Sequence, residues 1–345
     1  MKKRSFLKTA ALTLVGASGI GRFNSNSVKG ANLPDMNGIE GVETGKSQTI
    51  LSTCTKDNVT TVLLEGKKEP CMMMHITDSH ITIPCEEEDS KVWNYCKRMH
   101  QAYKDTSGHP CGENISRAES FRMLVDVAKR KEVDLLVLSG DIVNFPSPAT
   151  VNFVHKTLEE SGVPYVYVAG NHDWHLEGTS GSDDEKRLKN MPILQSLYQG
   201  KNPLYNSTIV KGVNVVCIDN STYQINKEQL DFFKQQLKKG YPIVLVMHIP
   251  VCTSQHHDST MGYAKWGAEI DRIYELEGRE RWSAEGNRPE TVEFHKLLMN
   301  TPDIIVLAGH VHSWRVEHEK NLQQYVTSLS RDGAYRIVKF IGSED

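Results

Sequence analysis

The chain has 345 residues, a hydrophobic fraction of 39%, a charged fraction of 24% and a formal net charge of −3. These proportions are typical of a globular protein and exclude a disordered or collagen-like chain. The slight negative charge and the lack of a basic stripe argue against nucleic acid as a partner. No apolar run reaches the roughly 18 residues of a membrane-spanning helix, so we expect no stable membrane insertion.

Residues 1–30 have the layout of a secretory signal. Basic residues at positions 2–4 and 8 precede a short, weakly apolar stretch over 10–20. The run KRSFLK is similar to a twin-arginine export signal in which lysine replaces the first arginine. We therefore expect export to the periplasm or the extracellular space, with this segment outside the folded domain. The alternative is a cytoplasmic protein with an amphipathic N-terminal segment.

Residues 31–70 are predicted to be an N-terminal extension with a possible β-hairpin, in which segments 49–54 and 58–64 pair. Residues 71–345 are predicted to form the main domain. Six short apolar runs there have the length and composition of strands buried on both faces. They are 71–77, 134–139, 163–169, 213–218, 242–247 and 304–308.

Apolar residues recur at helical spacing over 117–130 and 228–239, between some of these strands. Strands that alternate with helices predict a layered α/β domain. Three stretches, 84–116, 174–200 and 252–291, are long for plain connections.

Polar side chains follow five of the six predicted strands at the point where each strand ends. In open α/β sheets, ligands bind outside the carboxyl ends of the strands. The side chains found there are of the types that bind metal ions. The five groups are Asp78-Ser79-His80, Gly140-Asp141, Gly170-Asn171-His172-Asp173, His248 and Gly309-His310-Val311-His312.

This ordered set resembles the calcineurin-like metallophosphoesterase superfamily, whose pattern is D-x-H, GD, GNH, H and GHxH. The resemblance implies two packed β-sheets flanked by helices, with a dinuclear metal site at the carboxyl ends of the strands. It implies a first metal ion held by Asp78, His80, Asp141 and His312. It implies a second held by Asp141, Asn171, His248 and His310, with Asp141 as the bridge.

The family pattern makes His172 the catalytic histidine rather than a ligand. Its neighbour Asp173 is expected either to orient the His172 ring or to cap the turn that follows. Tyrosine stands three residues beyond the GD aspartate in purple acid phosphatases, and Asn144 stands there in this chain. We therefore expect no Fe(III)–tyrosinate centre.

Two cations about 3.5–4 Å apart can clamp the attacking and leaving oxygens and activate a water molecule. The expected cofactors are two divalent ions (Mn, Fe, Zn or Ni), and the expected substrate is a small-molecule phosphate ester. The expected reaction is hydrolysis of a phosphate mono- or diester by a metal-activated hydroxide, with His172 as proton donor or transition-state stabiliser. The alternatives are a non-catalytic metal-binding module and a nuclease of the same superfamily.

Other polar or aromatic residues receive plainer interpretations. His75 lies inside an apolar run and is predicted to be a buried histidine with satisfied hydrogen bonds. His256 and His257 are predicted to be surface residues, and no ligand role is expected for Asp219. For Trp174 and His175, the sequence leaves open whether they line the wall of the pocket.

The segments 84–116 and 252–291 carry aromatic residues beside cationic ones. Loops held by a rigid scaffold commonly determine specificity, so we expect these two segments to form the rim of the pocket. The residues concerned are Trp93, Tyr95, Lys97, Arg98 and Tyr103, and His256, His257, Tyr263, Lys265, Trp266 and Arg272.

The export hypothesis predicts a processed N-terminus. Protein isolated from its native host should begin between about Ala17 and Lys29, because the basic and apolar segments of a signal are removed. N-terminal sequencing by mass spectrometry measures this directly. An intact Met1 on protein from the soluble cytoplasm would reject the hypothesis.

Overall fold

In the computed structural model, the described residues are 49–67, 69–103, 108–112, 115–256, 260–262 and 287–343. They form two six-stranded β-sheets flanked by helices, as expected from the sequence. The signal segment, residues 31–48 and much of 252–291 lie outside the described residues. Within the described part of the chain, no helix combines the length and the apolar composition that crossing a membrane requires.

The first sheet has the strand order β1-β2-β12-β3-β4-β5. Its strands are β1 (Ile50–Lys56), β2 (Val59–Leu64), β3 (Cys71–Ile76), β4 (Leu135–Leu138), β5 (Tyr165–Tyr167) and β12 (Arg336–Gly342). The central strands β3, β4 and β5 are parallel, so their carboxyl ends lie at the same edge. The antiparallel β1–β2 hairpin pairs with β12 in the main sheet, so residue 70 does not separate it from the rest of the fold.

The second sheet has the order β10-β11-β9-β8-β7-β6. Its strands are β6 (Tyr205–Val210), β7 (Val213–Ile218), β8 (Ile243–Val246), β9 (Ile304–Ala308), β10 (Arg315–Glu319) and β11 (Leu322–Val326). Strands β7, β8 and β9 are parallel. All six apolar runs predicted as strands contain strands. They are β3, β4 and β5 in the first sheet and β7, β8 and β9 in the second.

Apolar side chains from both sheets form the core between them. Met73 and Val137 from the first sheet and Val215, Val246 and Leu307 from the second belong to this one buried cluster. Further apolar clusters lie beneath the helices on each outer face. This explains why the central strands are apolar on both faces.

The helices are α1 (Ser90–Tyr103), α2 (Arg117–Arg130), α3 (Pro148–Ser161), α4 (Asn171–Trp174), α5 (Asp183–Asn190), α6 (Lys227–Leu237) and α7 (Pro289–Asn300), with short 3-10 helices at Met191–Tyr198 and Ser330–Asp332. The two helices predicted from apolar spacing are α2 and α6. Two segments predicted as long connections contain helices instead, since α1 lies within 84–116 and α5 within 174–200. Helix α1 is held by Tyr95, Cys96 and Met99, which pack against Phe145 and Leu176.

His75 is the buried histidine that the sequence predicted. It is fully buried, with Nε2 2.7 Å from Ser139 Oγ and Nδ1 2.8 Å from Thr327 Oγ1. Burial and the nearby Arg336 guanidinium lower the pKa of His75 to about 3. The ring is therefore neutral, and it links the two sheets through hydrogen bonds.

Candidate metal centre

The carboxyl ends of the two sets of parallel strands meet at one edge of the molecule. The His248 ring Nδ1 lies 2.9 Å from the Ser139 carbonyl oxygen, across the two sheets. The His310 amide donates to Asp78 Oδ2 at 3.0 Å, and the Gly309 amide donates to the His248 carbonyl at 2.9 Å. Direct hydrogen bonds thus connect the residues that follow β3, β4, β8 and β9.

Asp78, His80 and His312 form one candidate ligand group, with a ligand atom of each within 4.8 Å of the others. Asp78 Oδ1 lies 3.3 Å from His312 Nε2 and 3.7 Å from His80 Nε2. The two ring nitrogens are 3.2 Å apart. Such spacing suits three atoms that surround a common cation.

Asp141, His248 and His310 form a second group, also within 4.8 Å. Asp141 Oδ2 lies 3.2 Å from His248 Nε2 and 4.0 Å from His80 Nε2, so this carboxylate lies between the two groups. Because the His248 Nδ1–H donates to a carbonyl, Nε2 is the nitrogen that faces Asp141 and that a cation would bind.

Asn171 begins α4 beside Asp141, whose Oδ1 accepts the His172 amide at 2.8 Å. The buried Asn171 Oδ1 and Asp78 Oδ1 have no hydrogen-bond partner in the described part of the chain. Burying a polar oxygen without a partner is costly, and native structures rarely do so without an ion or water at the site. The seven predicted ligands, which the structure brings together, therefore fit a pair of divalent cations.

The backbone at this edge is unusual. Left-handed φ angles are uncommon for residues other than glycine, and strained backbone persists where surrounding structure holds it, often at functional sites. Five of the seven predicted ligands have such φ values: Asp78 (55°), His80 (46°), Asp141 (50°), His310 (69°) and His312 (55°).

Glycines allow the ligand segments to approach each other closely. A Cβ at Gly309 would lie 2.3 Å from Asp78 Oδ2, and one at Gly170 would lie 2.2 Å from Asp141 Oδ1. Both distances are far below a normal contact. The glycines of the GNH and GHxH patterns are therefore required because ligand carboxylates occupy the space of a side chain.

The pKa values of the candidate ligands affect cation binding in opposite directions. Burial alone would raise the pKa of Asp141, but the neighbouring His248 and His172 hold it well below its usual range. Burial and the adjacent His172 lower the pKa of His80 well below its ordinary value. Burial also lowers the pKa of His248, but the Asp141 carboxylate overcomes this and raises it to about 9. A cation that binds His248 must therefore displace a proton.

His172 lies next to the ligands with its ring fixed. Its Nδ1 lies 3.2 Å from the Asn144 carbonyl, and its ring packs edge-on against the His80 ring at a centroid distance of 4.6 Å. Burial lowers the pKa of His172. Since Nδ1 faces a carbonyl acceptor, Nε2 is the nitrogen left to contact a substrate.

Asp173 does not orient the His172 ring as one of the two predictions proposed. Its Oδ2 accepts the amides of Gly170 at 2.7 Å and Asp141 at 2.8 Å, and its Oδ1 accepts the amide of Val143 at 2.8 Å. Burial and the Asp141 carboxylate raise the pKa of Asp173 to about 7, against the effect of these amides. The side chain ties the GNH turn to the GD turn and so positions Asp141.

The structure decides one interpretation that was left open and corrects another. Trp174 and His175 are 0% and 1% exposed, so neither lines a pocket surface. The prediction that His256 is a surface residue is wrong: it is 8% exposed, and its Nδ1 lies 3.5 Å from the Glu317 carboxylate. Asp219, for which no ligand role was expected, pairs with Arg187 at 3.3 Å. His257 lies outside the described residues.

Helix α1 borders an open groove of about 410 Å³. The Tyr95 ring packs on Phe145 at 4.8 Å, and Phe145 follows Asn144, whose carbonyl faces the His172 ring. Helix α1 is thus linked to the segment that contacts the His172 ring, and the assignment of these residues to the pocket rim stays a prediction. The rim residues from 263 onward lie outside the described residues. The groove is lined by Lys91, Asn94, Tyr95, Arg98, Glu177 and Gly178.

Two residues of the centre, Asn220 and Tyr223, were not predicted from the sequence. Asn220 Oδ1 accepts the amides of His248 at 3.2 Å and Ile249 at 3.0 Å. The Tyr223 hydroxyl lies 2.5 Å from His310 Nε2. Both follow the fourth predicted strand, and their position at a strand end was the available signal.

Comparison with known proteins assigns the chain to a family. The sequence model of the calcineurin-like phosphoesterase family matches residues 73–314, so the chain belongs to this family. A solved dimetal phosphatase from Danio rerio is similar at 12% identity and a TM-score of 0.46, over 77% of this chain and 91% of that chain.

Two curated relatives are named as probable cyclic nucleotide phosphodiesterases. The protein from Fibrobacter succinogenes is 22% identical over 158 residues, which is 44% of this chain and 56% of the relative. The protein from Psychrobacter sp. is 24% identical over 246 residues, which is 68% of this chain and 63% of the relative. The match thus spans less than two thirds of either relative.

The position of Asp141 between the two ligand groups predicts that Asp141→Asn removes most of both cations. Asp78→Asn serves as the matched variant, because Asp78 belongs to one group alone, and it should lower the affinity for one cation. Metal content after dialysis, measured by mass spectrometry, distinguishes the two variants. Two tightly bound cations in Asp141→Asn would show that Asp141 is not the bridge.

The amide contacts of Asp173 predict that Asp173→Asn lowers the free energy of unfolding by about 3 kcal/mol, since acceptors for three buried backbone amides are reduced and an amide N–H₂ faces backbone donors. Asp89→Asn is the control, because Asp89 accepts one amide at the surface, and its effect should be below about 0.5 kcal/mol. Urea denaturation measures both. Unchanged stability together with a large loss of rate would instead support the orienting role.

Proposed function

We propose that this chain hydrolyses small phosphodiesters, cyclic nucleotides among them, at a centre of two divalent cations. The observation that carries the proposal is the convergence of Asp78, His80 and His312 beside Asp141, His248 and His310. The names of the two curated relatives support a diester with a nucleoside group. The net charge of −3 favours a small substrate over a nucleic acid.

The centre suits an anionic substrate. When bound, the two cations would activate a water molecule for attack and stabilise negative charge on the phosphoryl oxygens. Two divalent cations bring four positive charges, and the carboxylates Asp78 and Asp141 return two negative ones. The resulting positive pocket attracts a phosphate group.

His172 is proposed to act on the leaving oxygen. Its Nδ1 is held by the Asn144 carbonyl at 3.2 Å, and its ring packs against the His80 ring, so the direction of Nε2 is fixed. From this position Nε2 can hold a proton for the leaving oxygen or stabilise charge on the phosphoryl group. The backbone of the same residue donates to Asp141, which couples its position to the bridging carboxylate.

A substrate panel tests the function. Wild-type protein loaded with Mn²⁺ is assayed with bis-p-nitrophenyl phosphate, p-nitrophenyl phosphate, 3′,5′- and 2′,3′-cyclic nucleotides, and supercoiled plasmid. We expect turnover of the diesters, including at least one cyclic nucleotide. Nicking of the plasmid as the main activity would indicate a nuclease. Two bound cations without turnover of any substrate would indicate a non-catalytic metal-binding module.

The role of His172 predicts that His172→Ala keeps both cations but loses roughly 10²–10⁴-fold in rate, the range of general acid–base catalysis. The loss should be smaller for a p-nitrophenol leaving group, which needs no proton. His155→Ala is the control, because His155 lies on α3 and pairs with Glu159. Loss of a cation in His172→Ala would make this residue a ligand instead.

A further inference from the structure

The turn at residues 219–223 follows β7 and carries none of the predicted ligands. We propose that this turn organises the site of the second cation, and that the Tyr223 phenol selects Nδ1 of His310 as the metal-binding nitrogen. The proposal rests on the two-cation centre described above. Tyr223 is a positioning residue in it, because it acts through a ligand.

Tyr223 contacts His310 with good geometry. Its hydroxyl lies 2.5 Å from His310 Nε2, with the two rings edge-on at 83° and a centroid distance of 5.4 Å. Tyr223 is 1% exposed and His310 is 3% exposed, so water does not compete for this contact. In the tautomer in which the His310 Nε2–H donates to the phenol oxygen, Nδ1 carries the lone pair for the cation shared with Asp141 and His248.

The backbone of Tyr223 shows that its position is enforced. Its φ is 62°, in the left-handed region that a bulky residue other than glycine rarely adopts. Its amide donates to the Asn220 carbonyl at 2.7 Å and closes the turn. Since strained backbone persists where the surroundings hold it, the direction of this phenol is a constrained feature of the fold.

The rest of the turn contacts the ligand His248 and the short helix that carries the ligand Asn171. Asn220 accepts the amides of His248 and Ile249, as described above. Ser221 Oγ accepts the Trp174 indole N–H at 2.8 Å, and Trp174 lies in the same short helix as Asn171. One five-residue turn therefore contacts the segments of Asn171, His248 and His310.

The first cation's ligands are held by different contacts. The Arg117 guanidinium donates to the His80 carbonyl at 3.0 Å, and the Ser328 hydroxyl donates to the His312 carbonyl at 3.1 Å. A change at Tyr223 should therefore affect the two cation sites unequally. Weakening of one cation site alone would indicate that Tyr223 positions a ligand, whereas a general loss of structure would weaken both sites.

The experiment is a metal titration of the full chain, with Mn²⁺ or Zn²⁺ measured by calorimetry, for wild type, Tyr223→Phe and Tyr198→Phe. Loss of a partner that orients a metal-binding histidine typically weakens the metal 10–100-fold. We expect this increase in the Kd of one site in Tyr223→Phe, with the Kd of the other site changed less than about threefold, well below that range. Tyr198 is the matched control: it is 2% exposed, and its hydroxyl has no hydrogen-bond partner among the described residues.

Three results would overturn the proposal. The first is two unchanged Kd values in Tyr223→Phe. The second is equal weakening of both sites together with a Tm in EDTA well below that of Tyr198→Phe. The third is a visible tyrosinate band on loading with Fe(III) that Tyr223→Phe abolishes, because the phenol would then be a ligand itself. Wild-type protein that binds one cation would contradict the two-cation centre, a failure distinct from these three.

Discussion

The structure depends on one constraint: buried carboxylates must be brought together at an edge where two sheets meet. Asp78 is 0% exposed and Asp141 is 1% exposed, and each has histidine nitrogens within 4.0 Å. Two negative charges in a poorly solvated site are unfavourable unless positive charge lies between or beside them. Imidazoles supply part of this compensation, and divalent cations would supply more. Much of the local architecture serves to hold these side chains against their mutual repulsion.

The backbone also helps to hold the buried carboxylates and histidines in position. Five predicted ligands adopt left-handed φ angles, and ligand carboxylates fill the space beside Gly170 and Gly309. Such conformations cost on the order of 1–3 kcal/mol each, so they persist only because the two sheets fix the strands that lead into them. The large apolar core between the sheets is the source of that rigidity. The fold therefore supplies the stability, and the edge uses it to fix ligand geometry.

The central strands and the predicted ligands were recognisable in the sequence because both are local signals. Runs such as 304–308 are apolar on both faces, and each is followed by metal-binding residue types. Strands β10 and β11 were missed because Arg315, Glu317 and Gln324 interrupt their hydrophobic pattern, although Glu317 and Gln324 are buried and bond to each other. Helix α1 was missed although its apolar residues recur at helical spacing, because the whole of 84–116 was interpreted as a connection between strands. Its docking onto Phe145 is a tertiary contact. Tyr223 was missed because its partner His310 is 87 residues away.

The run Asn171-His172-Asp173 shows why composition alone could not assign roles within a motif. All three residues occupy one turn of α4, so their side chains leave the helix in different directions. Asn171 presents a buried oxygen without a partner, His172 packs beside His80, and Asp173 points back to three backbone amides. A carboxylate next to a histidine suggested that Asp173 orients the ring. In the structure the Asn144 carbonyl faces Nδ1 of that ring instead, and Asp173 accepts the amide of Asp141. The aspartate thus acts on Asp141 through the main chain rather than on the His172 ring.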